Sequence, residues 1–239
     1  MALRSAVARL DDDVDLPGAA LTMARRFAAG ATMWCIAPEW PEHGRHVAVE
    51  FVHPVIMGKR ALPSLSIEGV NAVARLRASV RPGDIVLAVA SASEATVLDA
   101  MQRTPAWGAT SIWIGHGARP AARSADHLLW SAEASELGRH DGSMVFAYHV
   151  LWELVHVCFE HPGLLDDAVA CDDGEGACIT CSDEARLAEV VSIVAPSLAS
   201  VRTARGVEEI DTTLVDPVDP GDLVLIHGGV AITHVEAAS

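Results

Sequence analysis

Short apolar segments alternate with amphipathic ones along the first 160 residues. The apolar segments, which have strand character, are 31–37, 81–91, 107–115 and 126–130. The segments with helical spacing are 16–29, 45–53, 69–80, 94–103 and 142–159. Buried strands that alternate with helices predict a parallel sheet covered on both faces. We therefore expect an α/β domain over residues 1–165.

The hydrophobic pattern changes after residue 177, where its period shifts toward two. Turn sequences rich in Gly, Pro and Asp separate several short runs, which predicts a small barrel or sandwich over 178–239. The runs are 187–195, 198–203, 207–210, 212–215, 222–227 and 230–235. Residues 166–177, rich in Gly, Asp and Ala, are typical of an exposed linker.

Charge is distributed unevenly over these regions. The chain of 239 residues has a net charge of −15, and residues 166–239 hold 15 acidic but only three basic side chains. Such a surface repels nucleic acid and anionic membranes. It suits solubility or a basic protein partner.

The sequence also predicts a cytoplasmic location. The first residues, MALRSAVARLDDD, contain no long apolar run, and no uncharged stretch reaches the roughly 18 residues that span a bilayer. The five cysteines are then expected to be reduced. Cys35 and Cys158 lie in apolar runs and are expected to be buried.

The other cysteines, Cys171, Cys178 and Cys181, lie within eleven residues of one another. The pair Cys178 and Cys181 forms a C-x-x-C motif before the β-rich region. Such thiols can bind a soft or borderline metal, exchange disulfides or simply pack. Cys171 and His227 could complete a zinc site, although the spacing is irregular.

Three motifs in order carry a family resemblance over 178–236: Cys178-Ile179, GVEEIDTTLV at 206–215 and GDLVLIHGGVAI at 221–232. They resemble the HypC/HupF family of nickel–iron hydrogenase maturation chaperones. The resemblance implies a small OB-like β-barrel. It also implies partners, namely a HypD-like scaffold and the hydrogenase large-subunit precursor.

The cargo implied by this resemblance is iron that carries diatomic ligands. Cys178 matches the essential cysteine of the family and His227 matches its histidine, and a soft thiolate suits low-spin iron. Cys178 is internal here, whereas in single-domain members this cysteine follows the initiator methionine. Cys181 is additional to the simplest family pattern and is a further candidate ligand.

In the first region, His46 and Glu50 are four residues apart and share one face of a predicted helix. Such a pair can bind a metal, or it can be an ordinary surface contact. Asp141 and His149 lie at the start and middle of the last helix. They could ligate a metal, or Asp141 could cap the helix while His149 is buried in an apolar face.

The order of elements over 16–160 is similar to the SIS (sugar isomerase) domain, nearest to the D-sedoheptulose-7-phosphate (phosphoheptose) isomerase family. The matching residues are His46 to Glu50, Arg81 to Ala88 and the last helix with His149. This resemblance implies a flavodoxin-like sandwich, a homodimer or homotetramer, and a divalent metal, zinc or iron.

The ligands implied by the second resemblance are His46, Glu50 and His149, with Asp141 where the family has glutamine. In an isomerase, Glu50 and His149 would transfer protons between C1 and C2 of a phosphosugar.

The phosphate loops depart from the SIS pattern. Residues 37–42 (APEWPE) offer no glycine nest and add two carboxylates. The second loop keeps hydroxyls at a helix N-terminus, where anions bind well, but Glu94 lies among them. The hydroxyls, candidates for ligand binding, belong to Ser91, Ser93 and Thr96.

Three hypotheses follow. The chain is a hydrogenase maturation factor, a phosphosugar aldose–ketose isomerase, or a regulatory module that binds a carbohydrate derivative. The altered loops favour the first hypothesis.

Overall fold

A computed structural model describes residues 15–131, 142–165, 185–215 and 217–236. Within these residues a five-stranded parallel sheet with flanking helices is followed by a closed five-stranded barrel. The predicted fold class is confirmed. Asp141, Cys178, Cys181 and the proposed linker 166–177 lie outside the described residues.

The sheet region has ten regular elements and a short 3-10 turn among the described residues. In chain order they are α1 Leu16–Ala28, β1 Met33–Ile36, α2 Pro41–Val52, β2 Ser64–Ile67, α3 Ala72–Ser79, β3 Ile85–Val89, α4 Ala95–Arg103, β4 Thr110–His116, β5 His127–Ser131, α5 Ser143–Glu160 and the 3-10 turn Pro162–Leu164.

Local signals explain where the first helices begin. The Asp15 carboxylate accepts a 2.8 Å hydrogen bond from the Gly18 amide and so caps α1. The helix predicted over 45–53 begins earlier, at Pro41. Proline fits the first turn of a helix because that turn needs no amide donor. Residues 41–44, which precede the predicted start, are therefore helical as well.

The sequence pattern did not reveal β2. This strand is four residues long, alternates serine with Leu65 and Ile67, and forms the sheet edge. Leu65 is half exposed. A short edge strand of mixed polarity lacks the continuous apolar run that marks the buried strands.

The strand order is β2-β1-β3-β4-β5, and every pairing is parallel. All five residues of β3 are buried, as expected for a strand covered on both faces. The carboxyl ends of β1, β3 and β4 lie along one edge. The loops that follow these strands are therefore brought together there.

Two apolar clusters cover the faces of the sheet. Helices α1, α2 and α5 pack on one face around Phe51, Tyr148 and Leu151. Helices α3 and α4 cover the other face around Leu76 and Trp113. Cys35 and Cys158 are buried, as predicted. Among the described residues, no helix has the length and apolar character needed to cross a membrane.

The barrel closes in the order β10-β8-β7-β6-β9. Its strands are β6 Arg186–Ala195, β7 Leu198–Thr203, β8 Gly206–Asp211, β9 Leu223–His227 and β10 Val230–His234. Residues 212–215, interpreted as a strand, are instead a turn. The Asp211 side chain accepts the Thr213 amide at 2.7 Å and stabilises that turn.

The barrel contacts the sheet region through a buried carboxylate, Glu189 of β6, which is only 1% exposed. It accepts hydrogen bonds from Arg77 at 2.8 Å, Arg103 at 2.6 Å and the Trp107 indole at 2.8 Å. Arg202 of β7 donates in return to backbone carbonyls at the end of α3. Burial of a carboxylate requires such compensation.

Candidate metal centre and neighbouring loops

Three side chains from two helices converge beside the sheet. His46 and Glu50 lie one turn apart on α2, and His149 projects from the middle of α5. Glu50 Oε1 is 3.4 Å from His46 Nε2 and 3.2 Å from His149 Nε2. The three ligand atoms lie within 4.8 Å of one another, a separation suited to one metal ion. The helical repeat places His46 and Glu50 on the same face of α2, and the packing of α5 against α2 brings His149 beside them.

The hydrogen bond at the far side of His149 fixes its tautomer. Nδ1 lies 2.6 Å from the Val145 carbonyl oxygen, which can only accept, so Nδ1 carries a proton. In the neutral ring, Nε2 then presents a lone pair to the Glu50 carboxylate. Two acceptors at this distance repel unless a proton or a metal ion lies between them, so the donor set fits a divalent cation.

His46 is oriented by Tyr148 rather than by a backbone carbonyl. The Tyr148 hydroxyl is 3.0 Å from His46 Nδ1 and 3.3 Å from Nδ1 of His43. Tyr148 is fully buried, and this burial together with Glu50 raises its pKa, so the phenol keeps its proton at neutral pH. Partners of this kind hold metal-ligating imidazoles in place.

The centre is open to solvent on one side. The side chains of His46 and His149 are 42% and 38% exposed, whereas Glu50 is 16% exposed. The predicted fourth ligand, Asp141, lies outside the described residues. Nitrogen and oxygen donors of this kind are able to hold a metal ion.

The predicted ligand-binding loop before α4 is already engaged by carboxylates. The Ser91 amide and hydroxyl donate to Glu39 at 2.8 and 3.0 Å, and the Ser91 and Ser93 hydroxyls are 3.3 Å apart. Glu94 accepts the Thr96 amide at 3.1 Å. Donors that could bind a phosphate therefore face two acidic side chains.

A series of aromatic contacts links this loop to the candidate metal centre. Trp40, next to Glu39, stacks on His116 with ring centroids 5.4 Å apart. Its ring also meets His43 at 6.3 Å, and His43 meets Tyr148 at 6.0 Å. The carboxyl edge of the sheet and the three ligands thus form one continuous region.

Sequence reasoning missed His43 and Tyr148. His43 precedes the predicted start of the helix at residue 45, whereas in the structure it belongs to α2, one turn before His46. Tyr148 is the single tyrosine of the chain. Its position next to the candidate ligand His149 could have marked it as part of the site.

On the barrel, the candidate ligand His227 ends β9 and is exposed. It pairs with Val230 across a hairpin whose turn residues, Gly228 and Gly229, have φ of +57° and +82°. Two positive φ angles in succession strongly favour glycine, because it has no Cβ atom to clash with the backbone. Cys178 and Cys181, its proposed companions, lie outside the described residues.

The HupF/HypC family matches residues 186–239 of this chain. The matched segment contains His227 and begins after Cys178 and Cys181. Among curated protein sequences, none matches the chain.

Solved structures resemble the sheet region. A phosphoheptose isomerase from Francisella tularensis superposes with a TM-score of 0.52 at 13% identity, over 65% of this chain and 93% of that one. A protein from Escherichia coli CFT073, solved as a ligand complex, gives a TM-score of 0.49 at 18% identity, over 68% and 86% of the respective chains. At such identity the first similarity establishes the SIS-type fold alone.

Proposed function

We propose that this protein is a maturation factor for nickel–iron hydrogenase whose barrel carries the iron active-site precursor. The match of residues 186–239 to the HupF/HypC family is the observation that carries the proposal. The partners are then a HypD-like scaffold and the hydrogenase large-subunit precursor, in the cytoplasm. The acidic charge of residues 166–239 favours basic partner surfaces.

In this proposal Cys178 and His227 hold the cargo, an iron ion with diatomic ligands. A thiolate binds such iron strongly because both are soft, and an imidazole at the exposed end of β9 assists. Cys181 is a second thiolate three residues away.

The experiment replaces Cys178 with alanine in the native host. Hydrogenase activity should be lost, and protein purified without oxygen should contain no iron on the barrel. Cys171→Ala is the matched control because it removes a nearby thiol outside the Cys-Ile motif. Normal hydrogenase activity in the Cys178→Ala strain would refute the proposal.

We further propose that His46, Glu50 and His149 bind a divalent metal, zinc or iron, with Asp141 as a candidate fourth ligand. The fixed tautomer of His149 and the facing carboxylate support this site. Metal content should fall to background in His46→Ala and His149→Ala proteins, while His53→Ala, which alters an exposed histidine just after α2, should keep the metal.

Phosphosugar isomerisation is the second candidate, and the three converging side chains favour it. Glu50 and His149 would exchange protons with C1 and C2 of the substrate. A bound metal would polarise the substrate carbonyl. The contact between Glu39 and Ser91 opposes phosphate binding. Purified protein with zinc should be assayed with sedoheptulose 7-phosphate, and an absence of turnover at high enzyme concentration would exclude this reaction.

A further inference from the structure

The Tyr148 hydroxyl lies between the imidazoles of two histidines on α2. Its oxygen is 3.0 Å from His46 Nδ1 and 3.3 Å from His43 Nδ1. Tyr148 is 1% exposed and His43 is 6% exposed. Protein groups rather than bulk water therefore satisfy this hydroxyl.

His46, Tyr148 and His43 form a row of three hydrogen-bonded groups. A phenol has one proton to donate, so the hydrogen bonds along this row can run in two directions. In one, Tyr148 donates to His46 Nδ1, which leaves the His46 proton on Nε2, facing Glu50. In the other, His46 Nδ1–H donates to the Tyr148 oxygen, and the Tyr148 hydroxyl donates a hydrogen bond to His43 Nδ1. Only the second direction leaves His46 Nε2 free to bind a cation.

We infer that Tyr148 and His43 are positioning residues that hold His46 in its metal-binding tautomer, with His43 Nδ1 as the acceptor of the Tyr148 hydroxyl. This inference rests on the metal site proposed above. His149 needs no such row because the Val145 carbonyl fixes its tautomer directly. The two imidazoles thus reach the same protonation state by different means.

The row also makes His43 a reporter of metal binding although it is not a ligand. When a metal occupies Nε2 of His46, the Tyr148 proton must point to His43. The Nδ1 atom of His43 is then an acceptor, and the proton of the neutral ring is on Nε2.

The experiment titrates Zn²⁺ into the full-length protein and three variants by calorimetry. Tyr148→Phe and His43→Leu should each weaken zinc binding by about 10- to 100-fold, as expected when the partner of a ligating imidazole is lost. His43→Asn should restore most of the affinity over His43→Leu, because the asparagine Oδ1 can accept in place of Nδ1. Circular dichroism confirms that each variant is folded.

Nitrogen NMR of the histidine rings provides a readout that a merely structural tyrosine would not move. Zinc should shift the His43 Nδ1 resonance of the wild type toward that of a hydrogen-bond acceptor, and this zinc-dependent shift should be absent in Tyr148→Phe. Wild-type affinity in both Tyr148→Phe and His43→Leu would overturn the inference while leaving the metal site intact. Absence of zinc binding in the wild type would refute the metal site itself and the row's role with it.

Discussion

Trp107 and Glu189, 82 positions apart in the chain, are joined by a 2.8 Å hydrogen bond from the indole Nε1 to the carboxylate. Both side chains are almost completely buried. The same carboxylate binds Arg77 and Arg103, so one acidic residue of the barrel joins it to α3, α4 and the loop after α4. The barrel is therefore held in a defined orientation on the sheet region.

Replacing Glu189 with alanine should destabilise the protein, because two partly buried arginines and the buried Trp107 indole lose their acceptor. We expect a loss of about 3 kcal/mol, the lower end for an uncompensated buried ion, since Arg77 is partly exposed and can be hydrated. Urea unfolding measures the effect. Glu209→Ala, on the exposed surface of β8, should change stability by less than about 0.5 kcal/mol. Equal losses in the two variants would contradict this role of Glu189.

At Gly108 the backbone of the sheet region comes close to the backbone of the barrel. A Cβ atom there would lie 3.0 Å from the Ala204 carbonyl oxygen, and φ is +71°. Gly108→Ala should therefore cost more than the roughly 1 kcal/mol of a left-handed alanine. Gly30→Ala is the control because Gly30 has φ of +93° and open space around it. In thermal unfolding, the melting temperature should fall more for Gly108→Ala than for Gly30→Ala. Similar falls would show that the contact between Gly108 and Ala204 does not contribute to stability.

His127 should make stability depend on pH. Burial lowers its pKa below the usual 6.5, and Asp126 and Asp15 only partly offset this effect. The unfolded chain then binds more protons than the folded one below pH 6.5, so stability is full above that pH and falls as the solution is acidified. The unfolding free energy of wild type should drop more between pH 7.5 and pH 5.5 than that of His127→Asn. An identical drop in the variant would exclude His127 as a cause.

Glu39 should exclude phosphate from the loop before α4. Removing its carboxylate frees the amide and hydroxyl of Ser91 and removes one repelling charge. We expect Glu39→Ala to bind inorganic phosphate on the order of tenfold more tightly than wild type, given about 1 kcal/mol per charge pair at contact distance in water. Calorimetry tests this expectation. Glu42→Ala removes an equal charge from the same loop and should have a smaller effect, while tighter binding by wild type would contradict the argument.

The periodicity of the chain predicted most elements because burial on one or both faces leaves a local trace. The continuous apolar run of β3 and the helical spacing of α1 are examples, and both were confirmed. The sequence pattern did not predict β2, because an edge strand does not need a continuous apolar run. Residues 212–215 looked like a strand, but the Asp211 side chain stabilises a turn there.

The sequence by itself determined that His46 and Glu50 share a helix face, because the helical repeat sets that geometry locally. Its motifs also indicated the barrel family that the 186–239 match bears out. Only the tertiary structure decided that His149 meets Glu50, that Glu39 occupies the donors of Ser91 and that Tyr148 joins two histidines. These pairs lie 52 to 105 positions apart. Contacts over such separations depend on how whole helices and strands pack, which no local pattern encodes.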